Sequence, residues 1–413
     1  MKGGLILNRN LLLFYIARAA GLIIKPLTLW LLVYIEAIDL GALFATVFFI
    51  IPSTFIALNS EAHANYYKYQ FGQPIGSPIV VGLAYQRYIR LFSTHCLFFL
   101  PLALVGFILY FGSLREGLIF TSLVLIEKIW DEFCRHQLFS KKYTTWAKWY
   151  FLRCLLTAST VGFALQWGIN ALNWFFYQQV ALICFLAYVY YSERGCKFYL
   201  SAVYGYSRYR FKWYWAKYKQ TFFWGQMIAL AGANILAMDK WYLRGWADSR
   251  ILIEVMLLAQ VGAVYLVIID NVFFAVNRDR YVKVKSSLLE ITNWKNLIII
   301  SSSFYLLVTL FVMFLGPYIG VTTVGKVSAM GLLGIFIIHG ATRPFSEYAF
   351  WHATRRSSAI IELIAFLSVG GAYYISLINK SLPMMYGLGL STVCIRFYAY
   401  RHLCAGALGR SNR

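Results

Sequence analysis

The chain has 413 residues, of which 60% are hydrophobic and 13% are charged, with a mean hydropathy of +0.63. Soluble domains carry about 25% charged residues, so this composition excludes a soluble globular protein and indicates a polytopic membrane protein. The formal net charge of +22 is concentrated in alternate loops between apolar segments. That alternation is the positive-inside pattern of membrane proteins, so the charge predicts a topology and no nucleic-acid partner.

Apolar runs of about 20 residues predict about twelve transmembrane helices. An even number of spans places both termini on one side, and the basic loops place that side in the cytoplasm. The N-terminal sequence MKGGLILNRN leads into the first span without a small-residue cleavage site, so we expect no cleavable signal. The predicted spans are 11–35, 38–58, 91–112, 117–134, 150–168, 174–192, 220–239, 252–276, 296–315, 327–348, 358–378 and 382–400.

The predicted fold is all-α, with six spans on each side of a long basic segment. Residues 1–192 would form an N-terminal six-helix bundle and residues 220–413 a C-terminal one. The intervening residues 193–219 alternate aromatic and basic side chains, which is typical of an interfacial helix on anionic lipid. Transporters commonly consist of two such halves, with the substrate site near the membrane midplane.

The first span contains two cations within the apolar segment FYIARAAGLIIKPLTLW, residues 14–30. A cation at the centre of a membrane helix costs at least ~2.5–3.5 kcal/mol, so it usually faces a cavity or a partner. Arg18 and Lys25 are seven residues apart, which places them within about 20° of one helical face. Pro26 follows Lys25 and is expected to kink or loosen the helix. Because no acid on this span offsets the two cations, we predict that they face a cavity.

Further charged residues occur in other spans. Arg343 and Glu347 are four residues apart on the tenth span, where they could neutralise each other or serve transport. We predict Arg343 as a third cavity cation and Glu347 as a carboxylate that binds a coupling ion. Asp270 and Glu127 are alternative coupling carboxylates, although Glu127 belongs to a charged cluster at a predicted helix end, where side chains reach water at little cost.

Two remaining arginines, Arg153 and Arg396, lie near predicted cytoplasmic ends and are interpreted as interfacial anchors. The seven Cys and six His residues show no zinc-binding spacing, and the chain contains no nucleotide-binding loop or nucleophile motif. We therefore expect no metal, no cofactor and no enzymatic activity.

The seventh span ends in the sequence GANILAMDKWYLRG, and the cationic first span leads into AIDLGALFATVFFIIPSTFIAL. Together with the layout of twelve spans in two sixes, these segments resemble the polysaccharide-transporter branch of the multidrug/oligosaccharidyl-lipid/polysaccharide exporters. That branch contains the O-antigen and capsule flippases called Wzx. The motif residues here are Asn234, Asp239, Lys240 and Gly245, with Lys240 in a predicted outer loop. Arg244 before the Gly and WADSR after it make the match partial.

The resemblance implies two six-helix bundles around a cationic central cavity in the bacterial inner membrane. It implies alternating-access transport of an undecaprenyl-diphosphate-linked oligosaccharide for lipopolysaccharide or other polysaccharide biosynthesis, with glycan-assembly membrane proteins as candidate partners. Arg18, Lys25 and Arg343 would then bind the diphosphate, because Arg can contact two phosphate oxygens at once and Lys supplies a point charge.

Three other functions remain open. A purely structural membrane scaffold would not retain cations at mid-membrane for packing alone. A multidrug exporter of the same superfamily would need acids in an apolar pocket, which the cationic first span disfavours. A membrane-embedded glycan polymerase or ligase would need a large outer loop with catalytic Arg or His, whereas the predicted outer loops are short.

Overall fold

A computed structural model describes residues 9–44, 100–139, 143–193, 223–246 except 226, 229 and 233, 249–269, 294–319 and 324–411. All regular elements in these ranges are helices. Five of the described helices are long and apolar enough to cross a membrane. The prediction of an all-α polytopic membrane protein is confirmed. The number of twelve spans stays a prediction, because the chain between these ranges lies outside the described residues.

The described residues cluster into two compact units. The N-terminal unit contains residues 9–44 and 100–193, and the C-terminal unit contains those from 223 to 411. The predicted connector, residues 193–219, lies outside the described residues apart from Glu193. Its boundaries with the two predicted bundles therefore stay predictions.

The N-terminal unit is built from helical hairpins. Gly112 and Gly168 follow the second and fourth helices with φ of 71° and 59°, the left-handed conformation that commonly ends a helix. Asn170 then caps the fifth helix, since its side chain accepts a hydrogen bond from the Asn173 backbone N–H at 2.9 Å. The helices are α1 Arg9–Tyr34, α2 Leu100–Phe111, α3 Leu114–Phe139, α4 Tyr143–Gln166 and α5 Ala171–Ser192, with a further helical stretch over 38–44.

The C-terminal unit begins with a helical stretch over the described residues between 223 and 235, which ends in a turn. Thr354 caps the tenth helix through the Ser357 backbone N–H, and Lys380, with φ of 49°, lies in the turn to the eleventh. The helices are α6 Met238–Trp246, α7 Ser249–Ile269, α8 Trp294–Leu315, α9 Lys326–His352, α10 Arg355–Ile378 and α11 Leu382–Ser411, with a 3-10 turn Gly316–Ile319 after α8.

Helix α9 forms the centre of the C-terminal unit. In the apolar segment of α9, 72% is buried, compared with 22% in α8 and 28% in α10. We therefore infer that α8 and α10 present their outer apolar faces to lipid. Small residues bring α9 close to its neighbours, as is usual between membrane helices. A Cβ added at Gly331 would lie 2.8 Å from the Tyr386 Cβ of α11. Several polar residues of α9, namely Ser328, His339 and Thr342, are consequently buried among other helices.

Candidate functional site

The two cations of the first span both lie in α1, which continues through Pro26 to Tyr34. The hydroxyl of Thr28, two residues after the proline, donates to the Ile24 carbonyl at 2.7 Å. The structure describes the backbone of Arg18 and Lys25, whereas their side chains lie outside the described part. The cavity-facing role of these two cations therefore stays a prediction.

Helix α1 packs along α4 with a close approach at Gly21, which lies directly against the Tyr150 ring. Beside this contact is a cavity of about 20 Å³, which is room for about one water molecule. At 100° per residue, the position of Lys25 is adjacent to the residues of α1 that line this cavity. The lining residues are Ile24, Thr28, Phe44, Tyr150, Arg153, Cys154, Thr157 and Ala158.

Charged residues of α3 and α4 are paired inside the N-terminal unit. The Arg153 guanidinium forms an ion pair with Glu127 and lies 5.0 Å from the centre of the Trp130 ring. Lys128 is 1% exposed and lies 3.5 Å from the Asp131 carboxylate. Glu127 is near the middle of α3, so its assignment to a helix end is wrong. The interpretation of Arg153 as an interfacial anchor is also wrong, because its side chain is 14% exposed and bridges two helices.

Arg343 and Glu347 lie on α9, separated by one turn of that helix. Arg343 is exposed and Glu347 is half-buried, whereas His339, one turn earlier, is buried. Arg343 and His339 are four residues apart and lie on the same side of α9, with Arg343 the more exposed of the two. An exposed guanidinium on a central helix remains available to an anionic ligand, so its role as a third cavity cation stays a prediction.

The motif residues of the seventh span lie at the start of the C-terminal unit. The Asn234 side chain donates to the Leu230 carbonyl at 2.7 Å, within its own helical stretch. Asp239 and Lys240 begin α6 and are 2% and 0% exposed, with 2.7 Å between the carboxylate and the ammonium. Gly245 lies in α6, one residue before its end. Lys240 is thus part of a buried ion pair, and its assignment to an outer loop is wrong.

The Asp239–Lys240 pair connects three helices. The Lys240 ammonium donates to the Leu236 carbonyl at 2.6 Å and lies 5.4 Å from the Phe336 ring of α9. The Tyr386 hydroxyl of α11 donates to the Asp239 carboxylate at 3.3 Å. Because both charges are enclosed by these partners, the motif stabilises the packing of α6 against α9 and α11.

Two carboxylates belong to the seventh helix or directly follow it. Glu254 on α7 is fully buried and accepts a hydrogen bond from the Val324 backbone N–H at 2.9 Å, and the Arg250 side chain lies 3.7 Å away. Glu254 therefore fixes the backbone just before α9. Asp270, a predicted coupling residue, lies one residue beyond the described part of α7.

A buried charged group that the sequence did not predict joins α9, α10 and α11. The Glu362 carboxylate accepts two hydrogen bonds from Arg396, at 3.0 Å from Nε and 2.6 Å from Nη2. It accepts a third from the Tyr400 hydroxyl at 2.9 Å, and Arg396 Nη1 lies 3.4 Å from His339 Nδ1. We call these four residues, Glu362, Arg396, Tyr400 and His339, the α9–α11 polar cluster. Each is at most 5% exposed, so Arg396 is not an interfacial anchor.

One signal in the sequence could have indicated this cluster. Glu362 and Arg396 lie at nearly equal distances from the turn at Lys380. In an antiparallel helical hairpin, residues equally distant from the turn lie side by side, so opposite charges at such positions predict a pair.

The described residues contain no group of three or more His, Cys, Asp or Glu that could hold a metal ion.

No family model matches the chain, and no curated protein matches it. Its structure is similar to that of a solved protein described as lipid II flippase MurJ, in an inward closed conformation. The two share 12% sequence identity with a TM-score of 0.57, over 94% of this chain and 86% of that chain. The likeness extends over nearly the whole chain, and it shows that this chain has a fold similar to that of the solved protein.

Proposed function

We propose that the protein is a flippase that moves an undecaprenyl-diphosphate-linked oligosaccharide across the bacterial inner membrane by alternating access. The observation that carries this proposal is the fold, which over 94% of the chain is similar to a protein named for flipping lipid II. The partial motif at the end of the seventh span supports the polysaccharide-transporter branch of the superfamily. The proposal involves transport alone and no chemical transformation of the substrate.

The cations of the two units support an anionic substrate. Arg18 and Lys25 lie on one face of α1, and Arg343 is an exposed guanidinium on α9. A diphosphate that crosses the membrane needs countercharge inside the protein, and Arg suits it because the guanidinium can bind two phosphate oxygens at once. We propose these three residues as the diphosphate-binding residues. The buried Lys240 is satisfied by Asp239 and serves packing instead.

The charge pattern supports a topology with both termini and residues 193–219 in the cytoplasm. In that orientation the basic, aromatic segment 193–219 lies on the leaflet where a cytoplasmic substrate would be loaded. We propose Glu347, Glu127 and Asp270 as candidate coupling residues. Glu127 is the weakest of them, because its carboxylate is already paired with Arg153.

The proposal is tested by removing the gene in its native host and measuring which leaflet contains the lipid-linked glycan. We expect the glycan to accumulate on the inner leaflet and surface polysaccharide to be lost, with both restored by the wild-type gene. A complementing Arg18→Ala, Lys25→Ala variant should insert normally and fail to restore surface glycan. Lys380→Ala, which removes a cation from an exposed turn, is the matched control and should restore it. Unchanged leaflet distribution after deletion would contradict the proposal.

A further inference from the structure

One buried face of α5 contains polar atoms that have no partner. Gln178 and Trp174 are four residues apart, so they lie on one side of the helix, and each is 1% exposed. Neither polar atom of the Gln178 carboxamide, nor the Trp174 indole nitrogen, has a hydrogen-bond partner among the described residues. Buried polar side chains are usually hydrogen-bonded, so these atoms point to a ligand or an ordered water. We call these two residues the α5 polar face.

The adjacent glutamine on α5 is fully hydrogen-bonded. Gln179 Nε2 donates to the Ile119 carbonyl at 2.7 Å, and its Oε1 accepts from the Ser122 hydroxyl at 2.7 Å. The Phe175 ring packs on the same helix, α3, with its centre 5.0 Å from that of Phe120. Helix α3 thus provides the partners for one side of α5. The α5 polar face lies about 100° around the helix from that side.

The α5 polar face lies beside the cavity between α1 and α4. The Phe44 ring is centred 6.0 Å from the Trp174 ring, and Phe44 also lines that cavity. The position of Lys25 is adjacent to the α1 residues on the other side of the same cavity. Gln178 is the eighth residue of α5, about 10 Å from the helix start at 1.5 Å per residue. Phe44 therefore separates the α5 polar face from the proposed diphosphate-binding side of this unit.

The chemistry of the α5 polar face suits an uncharged polar group. The Gln178 carboxamide offers a donor and an acceptor, and the Trp174 indole offers a second donor. Hydroxyl and amide groups likewise present a donor and an acceptor together. A site built for such groups rejects ligands that lack them, because its own buried atoms then stay unpaired. The sugar part of a lipid-linked glycan provides hydroxyl and acetamido groups.

We infer that the α5 polar face is a sugar-binding site. The Gln178 carboxamide donates to and accepts from a hydroxyl or acetamido group of the glycan, and the Trp174 indole donates to a second oxygen. In this conformation Phe44 packs against Trp174, so the sugar binds once the helical stretch over 38–44 moves away, as domain rearrangements in transport allow. The inference rests on the proposed function and adds a contact for the sugar to those for the diphosphate.

An ordered water molecule is the alternative occupant. A water that accepts from the two N–H groups and donates to the Gln178 oxygen would satisfy the same atoms. The two accounts predict opposite effects on the stability of the ligand-free protein. Replacing a carboxamide that water satisfies removes hydrogen bonds, whereas replacing one that lacks a partner removes an unfavourable desolvation.

The variant Gln178→Met keeps the side-chain length and removes the carboxamide, so it separates the two accounts. In the ligand-free, full-length protein in detergent, we expect its melting temperature to rise by about 2–4 °C. Gln179→Met is the matched control, and its melting temperature should fall because the Ser122 hydroxyl loses an acceptor. An unchanged or lower melting temperature in Gln178→Met, or its failure to fold, would overturn the inference in favour of water.

Binding measurements test the sugar itself. The probes are undecaprenyl diphosphate and undecaprenyl-diphosphate-linked N-acetylglucosamine, each added to the purified full chain in detergent. We expect the wild type to bind the glycosylated probe more tightly, and Gln178→Met to lose about tenfold in affinity for that probe alone. Gln179→Met should keep the wild-type difference between the probes. Equal wild-type affinity for the two probes, or an equal loss for both in Gln178→Met, would refute the sugar site.

Movement of the glycosylated probe in vesicles separates this inference from the proposed function. If the wild type moves the probe but binds both probes equally, the sugar site is refuted and the flippase stands. If the wild type binds the glycosylated probe more tightly through Gln178 and does not move it, the sugar site stands and the proposed function fails. A wild type that binds neither probe contradicts both.

Discussion

Removing one partner of the buried ion pair gives a sharp test of the C-terminal unit. Arg396→Met keeps a side chain of similar length but removes two of the three hydrogen-bond donors to Glu362, leaving the Tyr400 hydroxyl at 2.9 Å. An uncompensated buried charge costs about 3–5 kcal/mol of stability. We expect Arg396→Met to lower the free energy of unfolding by that amount.

The double variant Arg396→Met, Glu362→Leu should recover most of this loss, because both charges are gone and Tyr400 keeps the Ser358 carbonyl at 3.5 Å as an acceptor. The assay is the melting temperature of detergent-solubilised protein, followed by size-exclusion chromatography after heating. Arg343→Met, on the exposed surface of α9, is the matched control and should change stability by no more than about 0.5 kcal/mol. The reasoning is refuted if Arg396→Met has the same melting temperature as the Arg343→Met control, or if the double variant is as unstable as Arg396→Met.

Three further outcomes are expected. Gly331→Leu should lower the melting temperature, since a Cβ there would lie 2.8 Å from Tyr386 Cβ, and overpacking costs about 1–3 kcal/mol. Gly387→Leu is the matched control on α11, because Gly387 is exposed and a Cβ there would have no atom within 4 Å, and it should melt close to wild type. Reporter fusions at residue 205 should report the cytoplasm, and a periplasmic signal would overturn the topology. Combined Arg18→Ala and Lys25→Ala should abolish surface glycan at normal membrane levels, and wild-type glycan in that variant would remove both residues from the binding site.

The composition and hydropathy were sufficient to predict an all-α polytopic membrane protein, because a lipid environment leaves few alternatives for the backbone. The approximate bounds of several helices followed for the same reason. The predicted span 358–378, for example, corresponds to α10 at Arg355–Ile378. The sequence also identified Arg18 and Lys25 as unusual, because a cation within an apolar run is evident from the hydropathy of the neighbouring residues alone.

The pairing of charges was not predictable in the same way. Arg396 appeared close enough to a helix end to reach water, and Glu362 appeared close to the start of its own helix. Their 2.6 Å contact depends on the register between α10 and α11, which is set by tertiary packing and the intervening turn. The same applies to Arg153, whose partner Glu127 lies on a neighbouring helix. The sequence of one span shows its own charges, whereas the partners of those charges lie on other helices.

The buried Lys240 shows a second limit. Hydropathy ends the seventh span near Asp239 and assigns the following residues to a loop, whereas the chain turns and continues as α6. Short helices with polar residues at their start have no apolar run to reveal them. The buried position of Lys240 depends on its contacts with the Leu236 carbonyl and the Phe336 ring. The sequence of the seventh span does not indicate these contacts.

The most direct test of the flippase account is movement of the lipid-linked glycan by the purified protein alone. Vesicles containing a fluorescent undecaprenyl-diphosphate-linked oligosaccharide are reconstituted with the full chain, and the glycan exposed on the outer leaflet is measured with an added enzyme that cannot cross the membrane. We predict that the protein makes the inner-leaflet glycan accessible, and that the Arg18→Ala, Lys25→Ala variant does not. Glycan that stays inaccessible in wild-type vesicles, at the level of protein-free vesicles, would contradict the account.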